Sequence, residues 1–191
     1  GASARTPAQA DHYLEPELHS IDDVAKINLV KNLSHGASIN ISALPPRYDM
    51  RKIDDINVVL VPRLKELVHH AYSKDVEITI DAEEQDRLSL SLHIIEQLAF
   101  DKKIKNWNKF GIALQAYGKR SFDAIDWLNS ALDKRAGMHL RLVKGAYWDY
   151  EIKHARVSGY DGYPVFSKKS STGIDKLAGS KRHLVTKQYR P

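Results

Sequence analysis

Arg141-Leu142-Val143-Lys144-Gly145-Ala146-Tyr147-Trp148-Asp149 is the stretch on which the fold turns. It continues an alternating run that begins at Met138 and precedes a helix-like segment, Glu151 to Ser158. The pattern predicts a buried strand that opens at its C-terminal end into a polar, glycine-containing turn. In α/β proteins such turns carry the chemistry. Here an arginine, a lysine, a glycine and two large aromatics emerge together, a set able to hold an anion, to stack on a flat ring system, or both. The same residues have a plain structural reading. A cation at a strand end is commonly solvated, and a Tyr-Trp pair commonly packs a helix onto a sheet. Residue chemistry alone leaves the two readings open.

Working back along the chain, Gly111 to Tyr117 reads as another strand, ended by Gly118 and followed by a helix with Phe122, Ile125, Leu128 and Leu132 on one face. Gln115 lies inside that apolar strand. A buried amide needs partners, either on neighbouring strands or on something held within the fold. Glu77 to Asp81 is a shorter strand, and Asp81-Ala82-Glu83-Glu84 leads into a helix marked by Leu88, Leu92, Ile95 and Ala99. Spacing favours Asp81 as the cap of that helix, with Glu84 three residues on as in a capping box, over a ligand-binding acid. Ala37 to Leu44 alternates as a strand, holds Asn40 between two isoleucines, and is ended by Pro45-Pro46.

Two further helices are expected. Thr6-Pro7-Ala8-Gln9 has the form of a capping box, with Leu14, Leu18, Ile21 and Ala25 recurring at helical spacing, and Pro16 is expected to kink this helix or delay its start. From about Ile56 to Tyr72, Leu60, Leu64, Leu67 and Ala71 repeat helically, with Pro62 tolerable only near the beginning. His69 and His70 lie near its end and point in different directions, which favours surface residues over ligands of one metal.

Strand and helix thus alternate four times, with Asn40, Asp81, Gln115, Arg141 and Lys144 in or just after the strands. Alternation of this kind implies a parallel sheet whose ligands bind at the carboxyl ends of the strands. An open doubly wound sheet would carry a glycine-rich first turn of the GxGxxG type, which is absent, so an α/β fold of the (β/α)8 TIM-like barrel class is expected. A complete barrel needs roughly 250 residues. The 191 residues are therefore expected to form a single domain holding part of a barrel, with residues 160–191 as a basic C-terminal segment.

Composition narrows the function classes. With 42% hydrophobic and 28% charged residues the chain has enough apolar content for one substantial core. Cysteine is absent, which excludes disulfides, a thiolate nucleophile and Cys-ligated metal, and fits a cytoplasmic compartment. No apolar run approaches the length of a membrane span. The net charge of +5 gathers toward the end, at Lys168, Lys169, Lys176, Lys181, Arg182, Lys187 and Arg190. Without a groove-reading motif or stacking platform, a solvated basic face is the expected explanation, and no nucleic-acid partner is predicted.

Five motifs in order carry a resemblance. They are Ser38-Ile39-Asn40-Ile41-Ser42-Ala43-Leu44 with Pro46-Arg47-Tyr48, Thr79-Ile80-Asp81-Ala82-Glu83-Glu84, Gln115-Ala116-Tyr117-Gly118-Lys119-Arg120, the opening stretch, and Gly162-Tyr163-Pro164-Val165-Phe166. From about Ala4 to Ala178 the chain resembles the proline dehydrogenase domain of bacterial bifunctional proline-utilisation flavoproteins. The resemblance implies a distorted (β/α)8 barrel that binds FAD, oxidises L-proline to Δ1-pyrroline-5-carboxylate and passes electrons to a quinone at the membrane surface. It further implies a cytoplasmic protein, peripheral at the inner membrane, with an aldehyde dehydrogenase domain on the parent chain.

By the same resemblance Asp81, Arg141, Tyr147 and Asn40 are the expected catalytic and substrate-handling residues. Asp81, Ala82, Gln115, Arg141 and Val143 are expected to contact the flavin or shape its pocket, and so are Lys144, Gly145, Ala146, Tyr147 and Trp148. Lys168, Lys169 and Thr172 are expected beside the adenosine-diphosphate portion, and no metal is expected. The chain departs from the family's pattern at Asn40, where a Lys usually holds the substrate carboxylate, and at Pro45, which replaces a usual His. Gly173, Lys176 and Gly179 stand where Asp, Tyr and Cys are usual. The family's last strands and final helix, with its paired arginines, have no counterpart before Pro191. Two other classes remain: a Schiff-base barrel lyase or aldolase with Lys144 as the amine nucleophile, and a non-enzymatic basic binding module.

Overall fold

The computed structural model describes residues 7–44, 48, 50–132, 134–135, 137–166 and 184–186. Thr6, the Pro45-Pro46 stop and the candidate residues Lys168, Lys169 and Thr172 lie outside them. Five strands are present among the described residues: β1 Gly36–Ile39, β2 Glu77–Ile80, β3 Phe110–Gln115, β4 Met138–Val143 and β5 Leu184–Thr186. All pair in parallel, in the order β1-β2-β3-β4-β5. A doubly wound sheet reverses its strand order at a switch point. Consecutive order instead is that of a barrel wall, so the expected (β/α) barrel architecture is found, here as five adjacent strands.

The helices follow the expected alternation. They are α1 Pro7–Lys31, the short α2 Ile53–Asp55, α3 Val61–Ser73, α4 Leu88–Ala99, α5 Ser121–Leu132 and α6 Trp148–Val157. α1 is helical from Pro7 and continues through Pro16, so the late start expected there does not occur. Between α2 and α3 the chain takes a π-turn at Ile56–Leu60. Pro62, at the first turn of α3, has no N–H to give to a carbonyl four residues back, and the wider turn just before it accommodates that gap.

The sheet has two unlike faces. Ile39, Ile78, Ile80, Phe110, Ile112, Leu114, Leu140 and Leu142 are buried and join the main core with Leu64, Leu67, Val68, Leu90, Ile94 and Leu98 of the helices. Each apolar side chain so buried contributes about 1.5–3 kcal/mol. The alternate residues face the other way, into the barrel, and most of them are polar.

Polar contacts tie the helical layer together. His69 and His70 each take a separate aspartate: His69 Nε2 lies 2.9 Å from Asp101 Oδ1, and His70 Nε2 lies 2.9 Å from Asp22 Oδ1. Both rings are half-buried, and no group of residues suited to a metal ion occurs among the described residues. The hydrogen bonds from His70 and Lys74 hold the Asp22 carboxyl below the usual range. Burial pushes Asp101 upward, but hydrogen bonds from His69, the Lys103 amide and Lys65 more than offset it. Arg135 is buried and donates to the carbonyls of Ala99, Gly137, Ile104 and Trp107 at 2.7–3.0 Å. Burial lowers its pKa to about 10. No helix among the described residues is long and apolar enough to cross a membrane.

Candidate active site

Strand register places the inward-facing residues in layers. Ser38, Thr79, Gly111 and His139 are partners across β1 to β4. One pleat further on, Ala113 is opposite Arg141, and Asp81 continues β2 to the same level, its N–H donating to the Ile39 carbonyl at 2.8 Å. Above these, Gln115 is opposite Val143. Because side chains alternate at a period of two, these residues all face one way. The residues of β3 in the two lower layers are small, and side chains from β4 cross over them to reach β2.

The lower crossing runs from His139 Nε2 to Thr79 Oγ1, 2.8 Å, over Gly111. The upper crossing is the centre of the site. The Arg141 guanidinium donates through Nη2 to Asp81 Oδ1 and through Nη1 to Ser38 Oγ at 3.0 Å. Its third donor, Nε, is buried and has no hydrogen-bond partner among the described residues. The capping role favoured for Asp81 is thus replaced by an ion pair. Glu84, not Asp81, occupies the N-cap position of the turn Gln85–Arg87 that opens α4, and it makes no side-chain cap. The Gln85 amide is instead satisfied by Glu151 Oε1 of α6 at 2.7 Å. Local spacing favours a cap, but a guanidinium aligned by register across two strands supplies both charge and donors.

Asn40 shares the layer of Asp81, but the strand expected over Ala37–Leu44 ends at Ile39 and Ile41–Ala43 is a 3-10 turn. There the Ser42 N–H leaves the sheet direction to donate to Glu83 Oε1 at 2.7 Å, and Ser42 Oγ donates to Asn40 Oδ1 at 3.0 Å. Asn40 remains solvent-exposed at the mouth.

After β4 the chain turns sharply. Gly145 has φ of +140°, and a Cβ there would stand 2.4 Å from the Tyr117 ring, so only glycine fits. Ala146 N–H donates to Gln115 Oε1 at 2.7 Å, while Gln115 Nε2 donates to the Glu83 carbonyl at 2.8 Å. Gln115 therefore finds its partners on neighbouring loops, and at 1% exposure it is enclosed by them. Tyr147 immediately precedes α6, half-buried, with its phenol pKa raised by burial and by the nearby Glu84, Glu83 and Asp81. Trp148 packs with Tyr117, Ile152, Val165 and Tyr163, and its Nε1 donates to the Phe166 carbonyl at 3.0 Å. The helix-packing reading describes Trp148 well. Ala82 and Val143 are half-buried at the rim. Lys144 is exposed, without the apolar enclosure that an amine nucleophile requires.

Three residues of the site escaped the sequence reading: Ser38, Glu83 and Glu151. Ser38 and Glu83 continue the inward parity of Asn40 and Asp81, a signal visible once the strand register is known. Glu151 is 2% exposed, and burial raises its carboxyl pKa above the usual range. Nothing local to α6 marks it.

The comparisons with known proteins bear directly on this constellation. The family description "Proline dehydrogenase" matches residues 1–188. The chain belongs to the proline dehydrogenase family. The bifunctional proteins PutA of Klebsiella aerogenes and of Escherichia coli (strain K12) are each 41% identical to it over 188 residues. Those matches take in 97% of this chain and 14% of each relative, so the chain spans about a seventh of their length. A crystal structure of a proline utilization A mutant from Bradyrhizobium japonicum superposes with a TM-score of 0.84 at 39% identity, covering 94% of this chain and 19% of that one. Proline dehydrogenase family membership and the barrel order of the strands agree with one another.

Proposed function

We propose that the protein oxidises L-proline to Δ1-pyrroline-5-carboxylate with FAD as its cofactor, and that the electrons pass to a quinone at the membrane surface. The observation that carries this is Arg141: a cation fixed by Asp81 and Ser38 at the mouth of the barrel, with a buried Nε donor still to spend. Such a donor suits an acceptor atom on the edge of a flat ring, and Tyr147 stands in the turn that follows. Arg141 and Asp81, with the Gly145–Tyr147 turn, would hold the isoalloxazine, and Lys168, Lys169 and Thr172 would serve the adenosine-diphosphate portion. When bound, FAD supplies a two-electron acceptor for the hydride leaving the carbon next to the proline nitrogen.

The chain's own residues orient, charge and dry the site. Oxidation to the imine also releases the proton of the proline nitrogen, which Asp81, half-exposed beside Arg141, is placed to carry toward solvent. Tyr147 would help enclose the proline ring. The family name supports the substrate, and the relatives' bifunctional label supports a second activity on the parent protein, for which an aldehyde dehydrogenase domain is our proposal.

The test is optical. Purified full-length protein is expected to show a flavin spectrum that L-proline bleaches without oxygen and a soluble quinone restores. A colourless preparation that takes up no added FAD would refute the proposal. Asn40→Lys is expected to lower the proline KM about tenfold with little change in kcat, because it adds a charged donor for the substrate carboxylate. An unchanged KM would mean that another group already neutralises that carboxylate.

A further inference from the structure

Glu151 is a buried carboxylate that the chemistry above leaves unused. It lies in the first turn of α6, where its N–H donates to the Tyr147 carbonyl at 2.9 Å, and it is 2% exposed. The next inward residues of that helix, Ile152 and Ala155, are apolar and buried. Burial raises the Glu151 carboxyl pKa, and Asp86 and Glu84 push the same way, while the Gln85 N–H and His154 act against them. A carboxyl group kept out of water needs a donor. Glu151 takes one from another β-unit, the Gln85 N–H, at 2.7 Å from Oε1.

Gln85 closes the loop that carries Asp81. The near end of that loop is fixed by β2, since the Asp81 N–H donates to the Ile39 carbonyl at 2.8 Å. The far end is fixed at Gln85, itself 2% exposed. Its N–H takes Glu151, its carbonyl accepts from Arg120 Nη2, and its side-chain amide lies against Gly118, where a Cβ would stand 2.3 Å from Oε1. Arg120 and Gly118 follow β3. Of these contacts, only that with Glu151 ties the loop to the unit bearing Arg141 and Tyr147. The first N–H groups of a helical segment have no partner within it, and a carboxylate there also suits the helix dipole. Glu84, in the N-cap position, makes no side-chain bond, so the task falls to α6. Ionised or protonated, a carboxyl group presents an oxygen that can accept from an N–H, and so does an amide.

We propose that Glu151 is a positioning residue for the reaction: through the Gln85 amide it fixes the loop bearing Asp81 relative to the turn bearing Tyr147, and so holds Asp81 at the level of Arg141. The proposal rests on the reading of this mouth as the proline and FAD site. A displacement of about 1 Å at a reacting group costs on the order of a hundredfold in rate, so an anchor at the far end of the loop is felt in turnover.

The test is a cycle between Glu151→Ala and Asp81→Ala in the full-length protein. Turnover is measured with FAD saturating, and deuterium exchange without added flavin. Glu151→Ala alone is expected to lower kcat for proline-dependent dye reduction about tenfold and to speed exchange at the Gln85 and Asp81 amides at least about tenfold. Glu151→Gln, which keeps an acceptor and drops the charge, should stay within about twofold of wild type in all three. In the Asp81→Ala background, Glu151→Ala should change kcat by less than about twofold, because the group through which it acts is gone. Ala155→Gly weakens α6 without reaching Gln85, and it should leave kcat within about twofold although the helix is less stable. Equal losses from Glu151→Ala with and without Asp81, or a Glu151→Gln variant as impaired as Glu151→Ala, would overturn the proposal. So would fast exchange at Gln85 with Asp81 protection and turnover unchanged. Wild-type protein that oxidises no proline, while both amides respond to Glu151→Ala and not to Glu151→Gln, would uphold the anchor and remove the proposed function instead.

Discussion

Arg141→Met is expected to reduce proline-dependent dye reduction about a thousandfold, the upper range for loss of one fixed charged donor at a reacting site. The melting temperature should move by only a few degrees. The asymmetry follows from where the side chain sits. Methionine retains the aliphatic stem that crosses Ala113, so the strand keeps its packing. What disappears is the guanidinium: its bonds to Asp81 and Ser38 and its uncommitted buried Nε. Asp81 then stands unpaired, but its side chain is 33% exposed, so water can hydrate it and the folding cost stays near that of a surface pair. Asp81→Ala should show the same separation of turnover from stability. Steady-state dye reduction and thermal unfolding, measured on the same preparations, decide the matter. Wild-type turnover in both variants would show that the catalytic assignment is misplaced even within the right family.

This pair also shows what a sequence exposes and what it hides. The strands around Ile78, Ile112 and Leu140 were legible because their alternation is local, and so was the parallel order, because helices separate them. The polar series Asn40, Asp81, Gln115, Arg141 was legible as a series. Its internal wiring was not. Asp81 sits four residues ahead of the Gln85–Arg87 turn, where local spacing favours a cap, whereas its actual partner is sixty residues away on β4. Likewise Gln115 bonds to loops from two other units, those after β2 and β4, and the Gln85 amide is capped by Glu151 from the second of these. Such links depend on register, and a shift of one residue would turn every one of these side chains to the opposite face. The stretch Ala37–Leu44 fails for a related reason. Its alternation continues past Ile39, but beyond that point the Ser42 N–H finds the Glu83 carboxylate rather than a strand partner. Trp148 illustrates the reverse, an aromatic near the chemistry whose visible work is packing α6 against Tyr117 and Val165.

Gly111→Ala should be the most destabilising single-methyl change in the barrel wall, because the new Cβ would stand 2.1–2.4 Å from three atoms of the His139 ring. The ring cannot simply lean away. It is 5% exposed and holds Thr79 Oγ1 across β3 at 2.8 Å, so yielding to the methyl breaks that bond and strands a buried hydroxyl. Overpacking of this kind costs about 3 kcal/mol. In a domain of this size that corresponds to roughly 9 °C in melting temperature. The cause can be isolated by the background in which the methyl is added. His139→Ala alone should cost about 2 kcal/mol, from the lost hydrogen bond and the cavity left behind. In that background Gly111→Ala should cost less than about 0.5 kcal/mol, since the methyl then enters vacated space and stiffens the unfolded chain. Denaturant unfolding of the wild type, both single variants and the double variant measures the cycle. Additive losses would mean that Gly111 is required for some reason other than the imidazole crossing it, and the layered arrangement beneath Arg141 and Asp81 would need another explanation.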